Sequence, residues 1–405
     1  MLDASSLVPL KPALQYLSDL WAFLWAFCSD DTEVAPPRPE PASDPWVEAK
    51  LTALLQEAAT EHGDCGRSSA EPPAWLDAER VERARQLHRL YWPVINCAQV
   101  MSLFLSFTME TTARPLVYTG RSDTAPRARR RYLETALHTL SWALGDVWRP
   151  GDAAFSNADR VREMHRRVAR QLDGRDLAEV RLSAPGRCPL AALGADLGPP
   201  PPGPTLAELA AAAASPPRFL SQTDMALTQW FFVGLVVLHP EKFGLAHLTD
   251  HDLECFLHFW RSVGHRLGVS ERHNLCAGSL TQVRALCLQL ERRVLVPQLR
   301  RPDRCWLGLT HALYDGLGTV LRQCDHDVFL YYVLHDVLGL QTPSLWTTLG
   351  WLTRLRYRLL RAIYRRANGN AHTHALIRGR ARAQLEAGVK ADGLPQHLAY
   401  VLELI

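Results

Sequence analysis

The chain has 405 residues, of which 47% are hydrophobic and 21% charged, with a formal net charge of +3. That is ample apolar material for one large domain or two or three small ones, and too little net charge to argue for a nucleic-acid partner. Nine scattered cysteines without a Cys-x-x-Cys pair argue against zinc-finger and disulfide frameworks and fit free thiols in a reducing compartment.

In chain order, Met1 to Leu20 contains Asp3, Lys11 and Asp19 and does not form a signal-peptide pattern. The apolar run Leu20 to Cys28 is too short to span a bilayer. Residues 1–45 read as an N-terminal helix followed by a Pro-rich linker, Ala35-Pro-Pro-Arg-Pro-Glu-Pro41. Residues 46–60 place Trp46, Leu51, Leu54 and Leu55 at helical intervals. A loose Gly-, Ser- and Pro-bearing stretch occupies 62–74. Helical spacing resumes at 77–90, with Asp77 as cap, at 126–147, and at 158–172, with Asn157 or Asp159 as cap. Pro115-Leu-Val-Tyr118 is the best short strand. The Pro/Ala-rich stretch 185–217 reads as a surface insertion between strong helices. Further helices are expected at 222–238, 250–267, 279–299, 304–323 and 326–337. Within them Trp230 to Leu238 reads as a core helix, not a membrane span. The fold class is therefore all-α: one large helical domain over 46–340 with its insertion at 185–217, then a basic amphipathic helical region over 341–405.

Several residue groups carry chemical potential. Arg131 and Thr135 are four apart and share a helix face. A guanidinium and a hydroxyl there suit a bound carboxylate, and they equally suit a surface ion pair beside a packing threonine. His165 stands 30 positions after Thr135, flanked by Arg162, Arg166 and Arg167. It fits an iron ligand and also a basic solvated helix face. His247, His251, His258 and His265 form a stripe that suits packing beside aromatic residues or, with Glu254, a metal. Glycine-rich phosphate loops, Gly-x-Ser-x-Gly elbows and His-Glu-x-x-His signatures are absent. The run 346–366 holds six Arg and no acid among aromatic and aliphatic residues. It fits an interfacial helix on an anionic membrane, a docked helix with solvated arginines, or, less well, an RNA contact.

Five stretches carry a resemblance. They are Leu116-Val-Tyr-Thr-Gly-Arg-Ser122, Arg131-Tyr-Leu-Glu-Thr-Ala-Leu-His138, Val161-Arg-Glu-Met-His165, Ser221-Gln-Thr-Asp-Met-Ala-Leu-Thr-Gln-Trp230 and Phe259-Trp-Arg-Ser-Val-Gly-His-Arg-Leu-Gly268. In this order they resemble the catalytic domain shared by the ER-bound oxygenase mpaB and the latex-clearing rubber oxygenases, particularly a branch found in animals. The resemblance covers about residues 90–340. It implies a globin-like all-helical fold around haem b, which cleaves carbon–carbon double bonds of polyisoprenoids with dioxygen. It makes His165 the iron ligand, sets Arg131 and Thr135 beside the haem as cofactor-binding and catalytic residues, and makes Glu110 the nearest candidate for a distal catalytic acid. Two departures stand out. The basic residue before the family's Thr is Glu134 here, and the insertion 185–217 is additional.

Two functional readings follow. One is a haem-dependent oxygenase acting on an apolar isoprenoid or lipid substrate. The other is a non-catalytic helical domain that binds lipid or a partner at a membrane surface through 346–366. Either implies an intracellular location, at the endoplasmic reticulum or another membrane, and no nucleic-acid partner.

Overall fold

In the computed structural model the described residues are 44–68, 71–175, 182, 189–199, 218–393 and 395–405. The expected N-terminal helix and linker, save Asp44 and Pro45, and most of the insertion lie outside them. The main helices are α1 (Pro45–Thr52), α2 (Ala78–Met101), α3 (Glu110–Tyr118), α4 (Ala125–Leu144), α5 (Ala153–Leu172), α6 (Leu190–Leu197) and α7 (Gln222–Leu238). They continue with α8 (Asp250–Arg266), α9 (Leu280–Leu290), α10 (Arg304–Gly318), α11 (His326–Tyr332), α12 (Pro343–Thr348), α13 (Trp351–Ala367) and α14 (Ala371–Asp392). Among the described residues there is no strand, only one isolated bridge between His62 and Ser221. The all-α expectation holds.

Helix α7 is the axis of the bundle. From Trp230 to Leu238 its sequence is apolar on every side, which suits an enclosed position, and α2, α8 and α9 pack around it. Trp230, Val233, Val236 and Val237 are buried, and the Trp230 indole donates to the Cys287 carbonyl at 3.0 Å. Each fully buried aliphatic side chain here contributes about 1.5–3 kcal/mol. Ser221 and Asp224 close a reciprocal capping box at its start. Around this axis α2 packs on α8, and α4 packs on both α10 and α5.

Local expectations need three corrections. Pro115-Leu-Val-Tyr118 is not a strand but the end of α3. Pro115 there forfeits a single backbone donor, a loss that the packed helix tolerates. Helix α5 begins at Ala153, capped by Asp152, which accepts from the Ala154 N–H at 2.8 Å. Asn157 and Asp159 lie inside it, where they bond His138 and Arg266 instead. The expected helices at 46–60, 279–299 and 326–337 each pass through a wider turn, at Ala53–Glu57, Glu291–Leu295 and Val333–Val337. The C-terminal region folds onto the same core: α14 lies against α2 and α4, and Asp392 pairs with Arg129 of α4.

Candidate functional site

The site forms where α4 and α5 meet the strap 61–68. The His138 Nδ1 donates to the Asn157 Oδ1 at 2.5 Å, locking α4 to α5. That contact sets His165, two turns further along α5, toward the strap. Arg162, on the same helix and 3% exposed, forks both oxygens of Asp64 at 2.6 Å and also donates to the Arg67 carbonyl at 2.7 Å. Arg166 adds a third bond to the same carboxylate at 2.5 Å. Burial pushes the Asp64 carboxyl up, but the hydrogen bonds from Arg162, Arg166 and the Gly66 N–H outweigh it and hold the group at about 2. Asp64 is therefore ionised at neutral pH.

The strap's other side rests on α7 and the turn after α8. The Gln222 amide donates to the carbonyls of His62, Gly63 and Gly268, and its oxygen accepts from the Ser270 N–H at 2.9 Å. The Cys65 N–H donates to the Gly268 carbonyl at 2.9 Å. Glycine is required at this crossing. Gly268 has φ +96, and a Cβ there would sit 2.7 Å from the Asp64 Cγ. Where Gly63 crosses residue 220, a Cβ would meet the Leu220 carbonyl at 2.0 Å. Leu220 itself has φ +52, a left-handed conformation that leucine adopts only under constraint.

Together these parts border a cavity of about 200 Å³ that is partly open to solvent. His165, Ala169, Leu220, Met225 and Leu267 line it, with His62, Asp64 and Arg166 on the strap side. The His165 Nδ1 is enclosed without a hydrogen-bond partner. Burial, then the nearby charge of Arg131, depresses the His165 pKa to about 4 against a weaker opposing pull from Asp64. The ring is thus a neutral imidazole near pH 7, the form that ligates metals.

Arg131 sits on α4 close enough to act on His165 through its charge. Burial lowers its pKa against weaker opposing pulls from Tyr132 and Glu134, and its guanidinium lies 5.9 Å from the Tyr132 ring centre. The acid three residues on, Glu134, is engaged elsewhere: it accepts from Arg121 at 2.8 Å and from Arg130 at 3.2 Å. The departure at Glu134 is therefore absorbed by an ion-pair cluster on α4. The Thr135 hydroxyl turns back to the Arg131 carbonyl at 2.9 Å, which fixes the helical turn below the guanidinium. Glu110 stands apart. It is exposed at the start of α3 and pairs with Arg114 at 3.0 Å; of the four residues singled out from the sequence, His165 lines this cavity and Arg131, Thr135 and Glu110 do not.

His247, just before α8, and His258 and His265 on it serve separate neighbours. His258 accepts the Asp77 N–H at 2.9 Å, His247 accepts the Gly369 N–H at 3.2 Å, and His265 packs edge-on against Trp75. Among the described residues no three His, Cys, Asp or Glu side chains converge to hold a metal ion. Sequence reasoning missed Asp64 and Gln222. Apart from the Gly66 N–H on Asp64, their partners lie 46 or more positions away along the chain, and no local pattern marks such a pairing.

A family model described as the catalytic domain of ER-bound oxygenase mpaB/B′/rubber oxygenase matches residues 85–371. No curated protein and no solved structure matches the chain.

Proposed function

Because the chain belongs to the ER-bound oxygenase mpaB/B′/rubber oxygenase catalytic-domain family, we propose that it is a haem b-dependent oxygenase acting with dioxygen on an apolar isoprenoid or lipid substrate. The observation that supports this reading is a neutral imidazole whose enclosed Nδ1 has no hydrogen-bond partner, near the Arg131 guanidinium, which forms no ion pair among the described residues. A metal held by protein side chains alone needs three or four of them, and none converge here among the described residues. A porphyrin brings its own nitrogens and needs only one imidazole, which His165 offers. Its propionates would also offer Arg131 a carboxylate to pair with directly. The residues present thus fit the group.

In this reading His165 ligates the iron and Arg131 neutralises a propionate, while Thr135 holds the Arg131 backbone in place. Bound haem supplies an iron centre that activates dioxygen for attack on a carbon–carbon double bond. The protein's part is to keep the surroundings dry and positioned. Leu220, Met225 and Leu267 give the cavity an apolar wall, and the Asp64–Arg162 fork clamps the strap against it. Glu110 has no part in this assignment, since its carboxylate faces solvent beside Arg114. That placement favours, as a second reading, a domain that binds without catalysing.

The test is an absorption spectrum of the protein produced with a haem supply. A Soret band that disappears in His165→Ala supports the assignment. A band unchanged in that variant, or none in the wild type, removes it. Oxygen uptake by the loaded protein with an unsaturated isoprenoid or lipid separates the catalytic reading from the binding one.

A further inference from the structure

Helix α13 divides into a docked side and an uncovered one. Tyr357, Leu360, Tyr364 and Ala367 are buried. The Tyr357 hydroxyl donates to Asp336 at 2.6 Å and the Tyr364 hydroxyl to the Cys97 sulfur at 2.9 Å. Facing away from these anchors, Trp351 is 77% exposed, Leu352 43%, Leu355 41% and Leu359 41%. They are four of the eight large hydrophobic side chains exposed among the described residues, so this is a concentration and not the usual scatter. At about 3.6 residues per turn they fall within roughly 100° of one another on the helix surface. Arg356 and Arg358 stand on either side of that stripe.

Along the chain the charge of this region has one sign. From Val337 to Leu385 the sequence has nine Arg and no acidic residue. Asp325, Asp336 and Glu386 each hold one of these guanidiniums. We propose that the exposed stripe of α13 is a docking surface for an anionic lipid bilayer, with Trp351, Leu355 and Leu359 entering the headgroup–acyl boundary. The flanking arginines reach lipid phosphates while their stems lie along the apolar stripe. Charge complementarity selects this occupant. A lipid surface accepts both the leucines and the dispersed arginines without needing a matching shape, whereas RNA would leave the leucines in water. The helix is already folded and anchored, so docking does not have to order it. Among the described residues no single helix is long and apolar enough to cross a membrane. The docking is independent of the haem assignment, because the measurement needs no cofactor.

The test is co-sedimentation of the full chain with phosphatidylcholine vesicles, with and without phosphatidylserine. The wild type should bind the phosphatidylserine vesicles, and less so as salt rises. Trp351→Ser/Leu355→Ser/Leu359→Ser should lower partitioning by at least about tenfold. Arg356→Gln/Arg358→Gln should lower it on phosphatidylserine vesicles alone. Circular dichroism and thermal midpoint matching the wild type certify that both variants fold. The proposal is overturned if the triple variant sediments like the wild type, or if the wild type ignores anionic vesicles. It is equally overturned if the triple substitution dissociates a wild-type dimer, or if single-stranded RNA binds this face and vesicles do not compete.

Discussion

Arg162 holds both carboxylate oxygens of Asp64 at 2.6 Å across 98 residues of sequence, and only 3% of its surface is exposed. This is the bond on which the cavity's outer wall hangs. Removing one partner of a buried pair leaves the other charge without compensation. Asp64→Ala should therefore destabilise the fold by about 3 kcal/mol, read as a lower urea midpoint with an unchanged slope. Limited trypsin digestion should cut the variant earlier at Arg67. A variant with wild-type stability and digestion would show that the fork is dispensable.

The acid response should come in two windows. His88 and His165 are both held neutral, with pKa values depressed by burial to about 4. The unfolded chain therefore takes up protons first, and stability is lost as pH falls from 6.5 toward 4. Asp64, held at about 2, contributes stability that is full above its ordinary carboxylate range and is lost as pH falls from about 4 toward 2. Urea midpoints measured against pH should flatten in the upper window for His165→Ala and in the lower one for Asp64→Asn. Exchanged effects would contradict the assignment.

Gly268→Ala should cost at least about 2 kcal/mol, because the new methyl both meets Asp64 and needs a conformation that L-residues avoid. The Asp64 Cγ would lie 2.7 Å away at φ +96. Gly120, whose Cβ would meet nothing within 4 Å at φ +62, offers the control. Gly120→Ala should cost only the conformational part, about 1 kcal/mol. Equal losses at the two positions would mean that the strap yields to the methyl.

Arg131→Gln should act in opposite directions on the two forms of the protein. Without cofactor it removes a desolvated charge that forms no ion pair among the described residues, so the thermal midpoint should rise or stay level. With haem it should weaken retention by about tenfold, through loss of one charge-assisted contact. Titration of the apoprotein with hemin, followed in the Soret region, reads the second effect. A lower midpoint for the cofactor-free variant would mean that Arg131 has a structural partner.

The helical class was legible because α7, α8 and α10 carry their signals locally: capping residues, apolar periodicity and apolar length. The placement of Arg131, Thr135 and His165 on α4 and α5 was readable for the same reason. Asp64 was not. Its Gly- and Ser-rich surroundings look like any loop, and only the distant arginines reveal what the carboxylate does. The start of α5 was misplaced because Asp152, Asn157 and Asp159 are all good caps, and the choice among them depends on His138 and Arg266. Glu110 sat close to the right motifs in the chain, yet α3 carries it away from the cavity.

The strap has a consequence for where this protein can be cut. Residues 61–68 precede the family-matched segment 85–371, and α14 runs almost entirely beyond it. A fragment trimmed to those borders would lose the acid that neutralises Arg162 and the helix that covers α2 and α4. Shared ancestry delimits a shorter piece of chain than cooperative folding does, and an expression fragment designed from kinship alone would strip its own cavity of the wall that His62, Gly63, Asp64 and Gly66 provide.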